Sequence, residues 1–153
     1  MIRLPKKLLF AIEAVLDIAY NAGSQPIQSR EITARQGIPR RYLEQVLQQL
    51  VRAKILSGVR GPRGGYRLAR ERRRITIGDI ARVVDANTSE NGAENSKDAP
   101  GSTLGQKIVW PLWHDLQDDM ISRLDTVTIE ELCRKANDAG IDSEAANRLD
   151  FII

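Results

Sequence analysis

Cysteine and histidine each occur once among the 153 residues, as Cys133 and His114. One thiol excludes an internal disulfide framework and points to a reducing compartment. One thiol and one imidazole also leave too few donors for a protein-held metal cluster. No run approaches the roughly 18 apolar residues of a membrane helix, and the first residues lack a signal-peptide pattern. A phosphate loop of the G-x-x-x-x-G-K kind is missing, as is any paired nucleophile and base, so enzyme chemistry has no residues to carry it. What remains is ordinary for a single folded domain with an appended helical segment: 42% of residues are apolar, enough for a core.

Charge is unevenly spread. Residues 1–85 hold 17 Lys and Arg against 7 Asp and Glu, a net +10, while residues 86–153 hold 6 against 13, a net −7. A basic first half implies a polyanionic partner, most often nucleic acid. The acidic second half is expected to stay away from it.

The densest concentration of special residues is Val59-Arg60-Gly61-Pro62-Arg63-Gly64-Gly65-Tyr66-Arg67-Leu68. Apolar runs able to pair as strands flank it. Glycines supply tight backbone geometry at a hairpin tip, and Pro62 stiffens it. A short β-ribbon is expected, with bare amides and guanidinium groups at its end, both donors to phosphate oxygens. Tyr66 is expected to pack beneath the ribbon. The run Arg70, Arg72, Arg73 and Arg74 fits either phosphate contacts or a solvated loop.

Ahead of the ribbon, Leu8, Leu9, Ile12, Val15, Leu16 and Ala19 recur at helical spacing, predicting a helix over 6–22 with Gly23 at its C-cap. Gln25-Pro26-Ile27-Gln28 reads as an extended linker. Ser29 is expected to cap a second, short helix, which Gly37 stops. A third helix follows Pro39, with Leu43, Val46, Leu47, Leu50 and Val51 on one face and Arg40, Arg41, Glu44, Gln45, Gln48 and Gln49 on the other. Short helix, glycine turn and polar-faced helix make a helix-turn-helix, whose second helix enters the DNA major groove. Arg and Gln read guanine and adenine edges through paired hydrogen bonds. With the ribbon behind it, the pattern is a winged helix-turn-helix. Thr76-Ile77-Gly78-Asp79 is a capping box opening a fourth helix through about Asp85.

Tyr42-Leu43-Glu44-Gln45, Val59-Arg60-Gly61-Pro62, Gly64-Gly65-Tyr66-Arg67-Leu68 and Ile75-Thr76-Ile77-Gly78-Asp79 resemble the bacterial IscR/NsrR/CymR family of winged-helix transcription regulators, over most of residues 4–132. The resemblance implies a mostly α fold with a small β-ribbon, and a cytoplasmic homodimer on a partly palindromic promoter operator, most often as a repressor. By family position Arg41, Glu44 and Gln45 face bases, while Arg60 and the Arg63-Gly64-Gly65 tip hold the minor groove. The full set of expected DNA contacts is Lys6, Ser29, Arg40, Arg41, Tyr42, Glu44, Gln45, Gln48, Arg60, Gly61, Pro62, Arg63, Gly64, Gly65 and Tyr66.

Many members of that family carry an iron–sulfur cluster on three cysteines between the fourth and fifth helices. Here the corresponding stretch, Ala86 to Leu104, has no cysteine, and Trp110 stands where some relatives place a histidine. No cofactor is expected. Three regions follow: a DNA-binding domain over 1–85, a flexible loop over 86–103, and a helical region over 104–153.

Leu104, Ile108, Leu112, Leu116, Met120 and Leu124 recur every four residues, with Trp113 beside them. This long apolar stripe is expected to pair with its copy in a homodimer. Pro111 is expected to kink the helix or delay its start. Thr128-Ile129-Glu130-Glu131 caps a last helix carrying Cys133, read as structural because its acidic neighbours raise a thiol pKa while Arg134 opposes them. The chain ends Asp150-Phe151-Ile152-Ile153. Phe151, Ile152 and Ile153 either pack on the dimer or form a docking tail. In the cluster-lacking branch, represented by the cysteine-metabolism repressor CymR, the partner is cysteine synthase, and the end is similar to the C-terminal isoleucine that serine acetyltransferase inserts into that enzyme. The alternative to a transcription regulator is therefore a nucleic-acid-associated interaction module docking a metabolic enzyme through its tail.

Overall fold

A computed structural model of the chain describes residues 5–91 and 101–145. Its elements run α1 (Lys6–Asn21), α2 (Ser29–Gln36), α3 (Arg40–Arg52), β1 (Leu56–Val59), β2 (Gly65–Leu68), a 3₁₀ turn (Arg72–Arg74), α4 (Ile77–Asn91), α5 (Trp110–Leu124) and α6 (Ile129–Asp138). This is a winged helix-turn-helix with a long helix leaving it.

α1 is the central post. Ala11, Ala14, Val15 and Ile18 are fully buried, because α1 packs against α2, α3, α4, α6 and β2. Small residues on its inner face let the surrounding helices approach closely. Isoleucine and leucine from α2, α3, α4 and α6 fill the space around it, as Ile32, Leu43, Leu47, Leu50, Ile80 and Ile129. The helix ends at Asn21, one residue sooner than expected, and Ala22 rather than Gly23 takes the cap position in an extended conformation. Asn21 itself supplies the stop, donating from Nδ2 to the Asp17 carbonyl at 3.0 Å.

α2 begins at Ser29, so Ser29 lies inside the helix and Gln28 is its N-cap. The Gln28 amide donates to Glu31 Oε2 at 2.7 Å, which turns the chain without a serine. Gly37 closes α2 in the left-handed conformation, φ +65°, its amide bonded to Thr33 O. α3 ends differently. Lys54, a non-glycine residue, takes φ +61°, and the amides of Lys54 and Ile55 bond back to Val51 and Leu50. This is the paired bonding of a Schellman stop, made without its usual glycine.

β1 and β2 pair antiparallel, from Leu56 opposite Leu68 to Val59 opposite Gly65. Ile27, expected in a linker, exchanges both backbone bonds with Tyr66, at 3.0 and 2.7 Å. The ribbon is thus held on two sides. α4 starts on the expected capping box: Thr76 N donates to Asp79 Oδ2 and Asp79 N to Thr76 Oγ1, each at 3.0 Å. It runs on to Asn91, so the first residues of the expected loop are helical; residues 92–100 lie outside the described residues.

Ahead of α5 stands a π-helical turn, Gly105–Val109, with the Trp110 amide bonded to Gly105 O. Pro111 is the second residue of α5, directly after the π-helical turn, so the wider turn accommodates a proline that the interior of a regular α-helix would not. Proline thus resets the helix register without breaking the rod. From Leu104 to Met120 the apolar stripe is exposed, Leu104 by 74% and Leu112 by 59%. Leu124, at the end of the stripe, is partly buried: with Ile121 it packs against the chain's own core. Phe151, Ile152 and Ile153 lie outside the described residues.

Candidate nucleic-acid interface

α3 shows the division that its sequence implies. Leu43, Val46, Leu47 and Leu50 are buried, and this anchors Arg40, Arg41, Tyr42, Glu44, Gln45 and Gln48 in the open. Arg40 Nε donates to Glu44 Oε1 at 3.0 Å. An exposed pair of this kind is weak and yields easily to a competing phosphate or base. The Tyr42 ring lies tilted over Phe10 with centroids 6.3 Å apart, so the second turn of α1 meets the first turn of α3. Lys6 stands one helical turn before Phe10, exposed.

At the wing tip Arg60, Gly61, Pro62 and Arg63 are exposed. Gly61 has φ +111° and open space around it, so it is the residue that gives the tip its turn. Gly64 and Gly65 serve the fold instead. A side chain on Gly64 would overlap the Val59 carbonyl, and one on Gly65 would overlap that of Ile27. Tyr66 is half-buried against the core, beneath the ribbon, as the sequence suggests.

The fold brings the wing and the start of α2 together. Gln28 Nε2 donates to Pro62 O at 3.4 Å. Beside this contact is an open cleft of about 380 Å³ lined by Gln25, Pro26, Gln28, Arg30, Glu31 and Arg63. Arg30 belongs to this surface and was not among the residues the sequence singled out. Its position in the first turn of α2 was the available signal, since amides and cations at a helix start both favour anions.

Other arginines have partners within the chain, though at its surface. Arg67 donates to Ser24 O at 2.9 Å, Arg70 to Ala53 O at 3.3 Å, and Arg73 pairs with Glu71 at 2.5 Å. The arginine run after the wing is thus in part structural. Arg35 is likewise held: it grips the buried Asp17 carboxylate with two bonds, at 2.9 and 2.8 Å, and Glu144 with a third, at 2.9 Å. Hydrogen bonding to Asp17 raises its pKa above the ordinary guanidinium value, so the charge is permanent.

Cys133 is buried. Burial pushes its thiol pKa up, against the pull of Arg72, which bonds to it and stabilises the thiolate; Glu130 adds to the rise. The opposing cation is Arg72 of the 3₁₀ turn, where the sequence pointed to Arg134.

Residues 4–135 match the family model Rrf2, described as an iron-dependent transcriptional regulator. The HTH-type transcriptional regulator IscR of Photobacterium profundum is 34% identical over 135 residues, which cover 88% of this chain and 77% of that protein. IscR of T. potens has a similar structure, with a TM-score of 0.69 at 27% identity, over 93% of each chain. CymR, the global cysteine regulator of B. subtilis, superposes with a TM-score of 0.65 at 26% identity, over 88% of this chain and 98% of that one. These relatives are regulators and not enzymes. Among the described residues no helix is long and apolar enough to cross a membrane.

The iron in the family description needs donors, and those present do not fit it. A cluster takes several thiolate or imidazole ligands. The chain owns one of each; Cys133 is buried with Arg72 against it, and His114 lies over Trp110 with ring centroids 6.1 Å apart.

Proposed function

Because the chain belongs to the Rrf2 family of transcriptional regulators, we propose that it is a repressor that reads a partly palindromic promoter operator as a homodimer, without an iron–sulfur cluster. The observation that carries this is the solvent-facing side of α3, where Arg40, Arg41, Glu44, Gln45 and Gln48 stand on a rigidly buried base beside an arginine-tipped wing. One recognition helix spans few base pairs; two, about 34 Å apart, reach half-sites one turn apart. The exposed stripe of Leu104, Ile108, Leu112, Trp113, Leu116 and Met120 supports the pairing. A rod of that length covers such a stripe most fully against its own copy.

The scarcity of thiol and imidazole donors supports an iron-free mode of action. Likeness to the cysteine regulator CymR favours control of cysteine and sulfur metabolism. Docking of cysteine synthase by Phe151, Ile152 and Ile153 belongs to this proposal on sequence likeness alone; deleting the three residues should weaken that association, and an unchanged affinity ends the idea.

Gel shifts on the protein's own promoter, with competitor DNA and stepped salt, test the central reading. Arg41→Ala should cost about 1–3 kcal/mol and relax sequence preference. Arg60→Ala and Arg63→Ala should each weaken binding across sequences and lower the slope of log affinity against log salt by about one. Operator affinity that survives loss of both wing arginines would refute the proposal.

A further inference from the structure

A chain of charges links the end of the recognition helix to the end of α5. Arg70 donates to the carbonyls of Lys54 (3.2 Å) and Ala53 (3.3 Å), where α3 stops. The same guanidinium pairs with Asp79 Oδ2 at 3.8 Å, in the first turn of α4. The other oxygen of Asp79 faces Arg82 at 3.6 Å. Arg82 then reaches across to Asp125, the residue that ends α5, at 2.5 Å. Two backbone bonds pin the turn that follows, Ile77 N to Val127 O and Ile129 N to Ile75 O, both at 2.9 Å. Asp125 sits directly against Gly78, so closely that any side chain there would overlap its carboxylate. The backbone bonds, with Ile121 and Leu124 packed against the core, fix where the elbow lies. The charges brace it from the side.

We infer that Arg70, Asp79, Arg82 and Asp125 form a strut that fixes the angle between α5 and the recognition helix, and through it the half-site spacing that the dimer accepts. The inference rests on the dimeric operator reading above. Leverage makes a small angle matter. Residues 104–124 make a rod roughly 30 Å long at 1.5 Å per residue. A swing of about 10° at Asp125 moves its far end by about 5 Å, more than the roughly 3.4 Å between successive base pairs. The four side chains are positioning residues that touch no DNA. Exposed ion pairs are individually weak, so their loss leaves the fold standing while freeing the angle.

The test uses the full chain and duplexes selected by the wild-type protein from a random pool, remade with the two half-sites moved together or apart by one base pair. The wild type should discriminate against either change by about tenfold or more, of the order of one lost base-pair contact. Arg82→Gln and Asp125→Asn should each bring that ratio to about threefold or less, and the double variant should go no further, as expected for partners in one interaction. Gly78→Ala, which displaces Asp125 without altering charge, should act alike. Light scattering and thermal unfolding serve as controls. General destabilisation lowers affinity at every spacing and leaves the ratio unmoved, and that result would overturn the strut. A wild type that selects no two-part site sinks the dimeric reading and the strut together; a two-part site whose spacing ratio the variants preserve sinks the strut alone.

Discussion

Asp17 carries more of the fold than its place in an apolar helix suggests. Only 2% of it is exposed, and its side-chain oxygens accept from Arg35 and from Gln36 Nε2, each at 2.8 Å. Removing one partner of such a buried pair typically costs about 3–5 kcal/mol, because the other is left without compensation. The pair fastens α2 to α1, so the entry to the helix-turn-helix is held by charge as well as by Ile32. Cys133 lies at the opposite extreme, uncharged and enclosed. Its pKa is raised by burial, so the folded state holds its proton more tightly than the unfolded chain. Its contribution to stability is therefore complete below the ordinary thiol value, 9.0, and is lost as pH rises past it toward the folded pKa. Urea unfolding from pH 7 to 10 should show this decline, and Cys133→Ala should remove that part of it. A difference between the two proteins that does not change with pH would contradict it.

Among the elements, α5 is the one whose apolar surface a single chain leaves uncovered. Leu104, Ile108, Leu112, Leu116 and Met120 all remain exposed, and its packing partner is α4, near the elbow. A fully buried aliphatic side chain contributes about 1.5–3 kcal/mol, so covering this stripe is worth several such terms. Leu112→Glu removes one and puts a charge in the seam. In the proposed homodimer the dissociation constant should rise by about a hundredfold or more, equivalent to roughly 2.7 kcal/mol, while the monomer keeps its fold because Leu112 stands outside the core. Analytical ultracentrifugation over a concentration series checks this; an unchanged constant would place the seam elsewhere. The wing is the opposite kind of element. Two strands of four residues are marginal alone, yet Ile27, Gln28 and Arg67 tie this ribbon to the segment before α2. The reading head is therefore one body, and residues far from the tip in sequence brace it once the fold has brought them together.

At the scale of the whole molecule, charge and hydrophobicity have separate tasks. The basic half, net +10, suits a polyanionic partner, and the acidic half, net −7, supplies the rod and the last helix. Much of this was legible in the residues. Periodicity placed α1, α3 and α5, glycine and capping boxes placed the turns around Gly37, Thr76 and Thr128, and the glycine-arginine stretch placed the wing. Each of those signals is local: it depends on neighbours within a turn or a hairpin. The misses share one cause. Gln28 displaced Ser29 as a cap because Glu31 could answer its amide. Arg72, and not the adjacent Arg134, faces Cys133 because the 3₁₀ turn packs on α6. By itself the sequence determined the helices, the ribbon, the sign of the partner and the shortage of iron ligands, since these follow from composition and short-range spacing. Which arginines stay free for DNA, which are engaged within the chain, and how α5 is braced against the reading head were decided only when distant segments met, because a charge acquires its role from the partner that folding brings within reach.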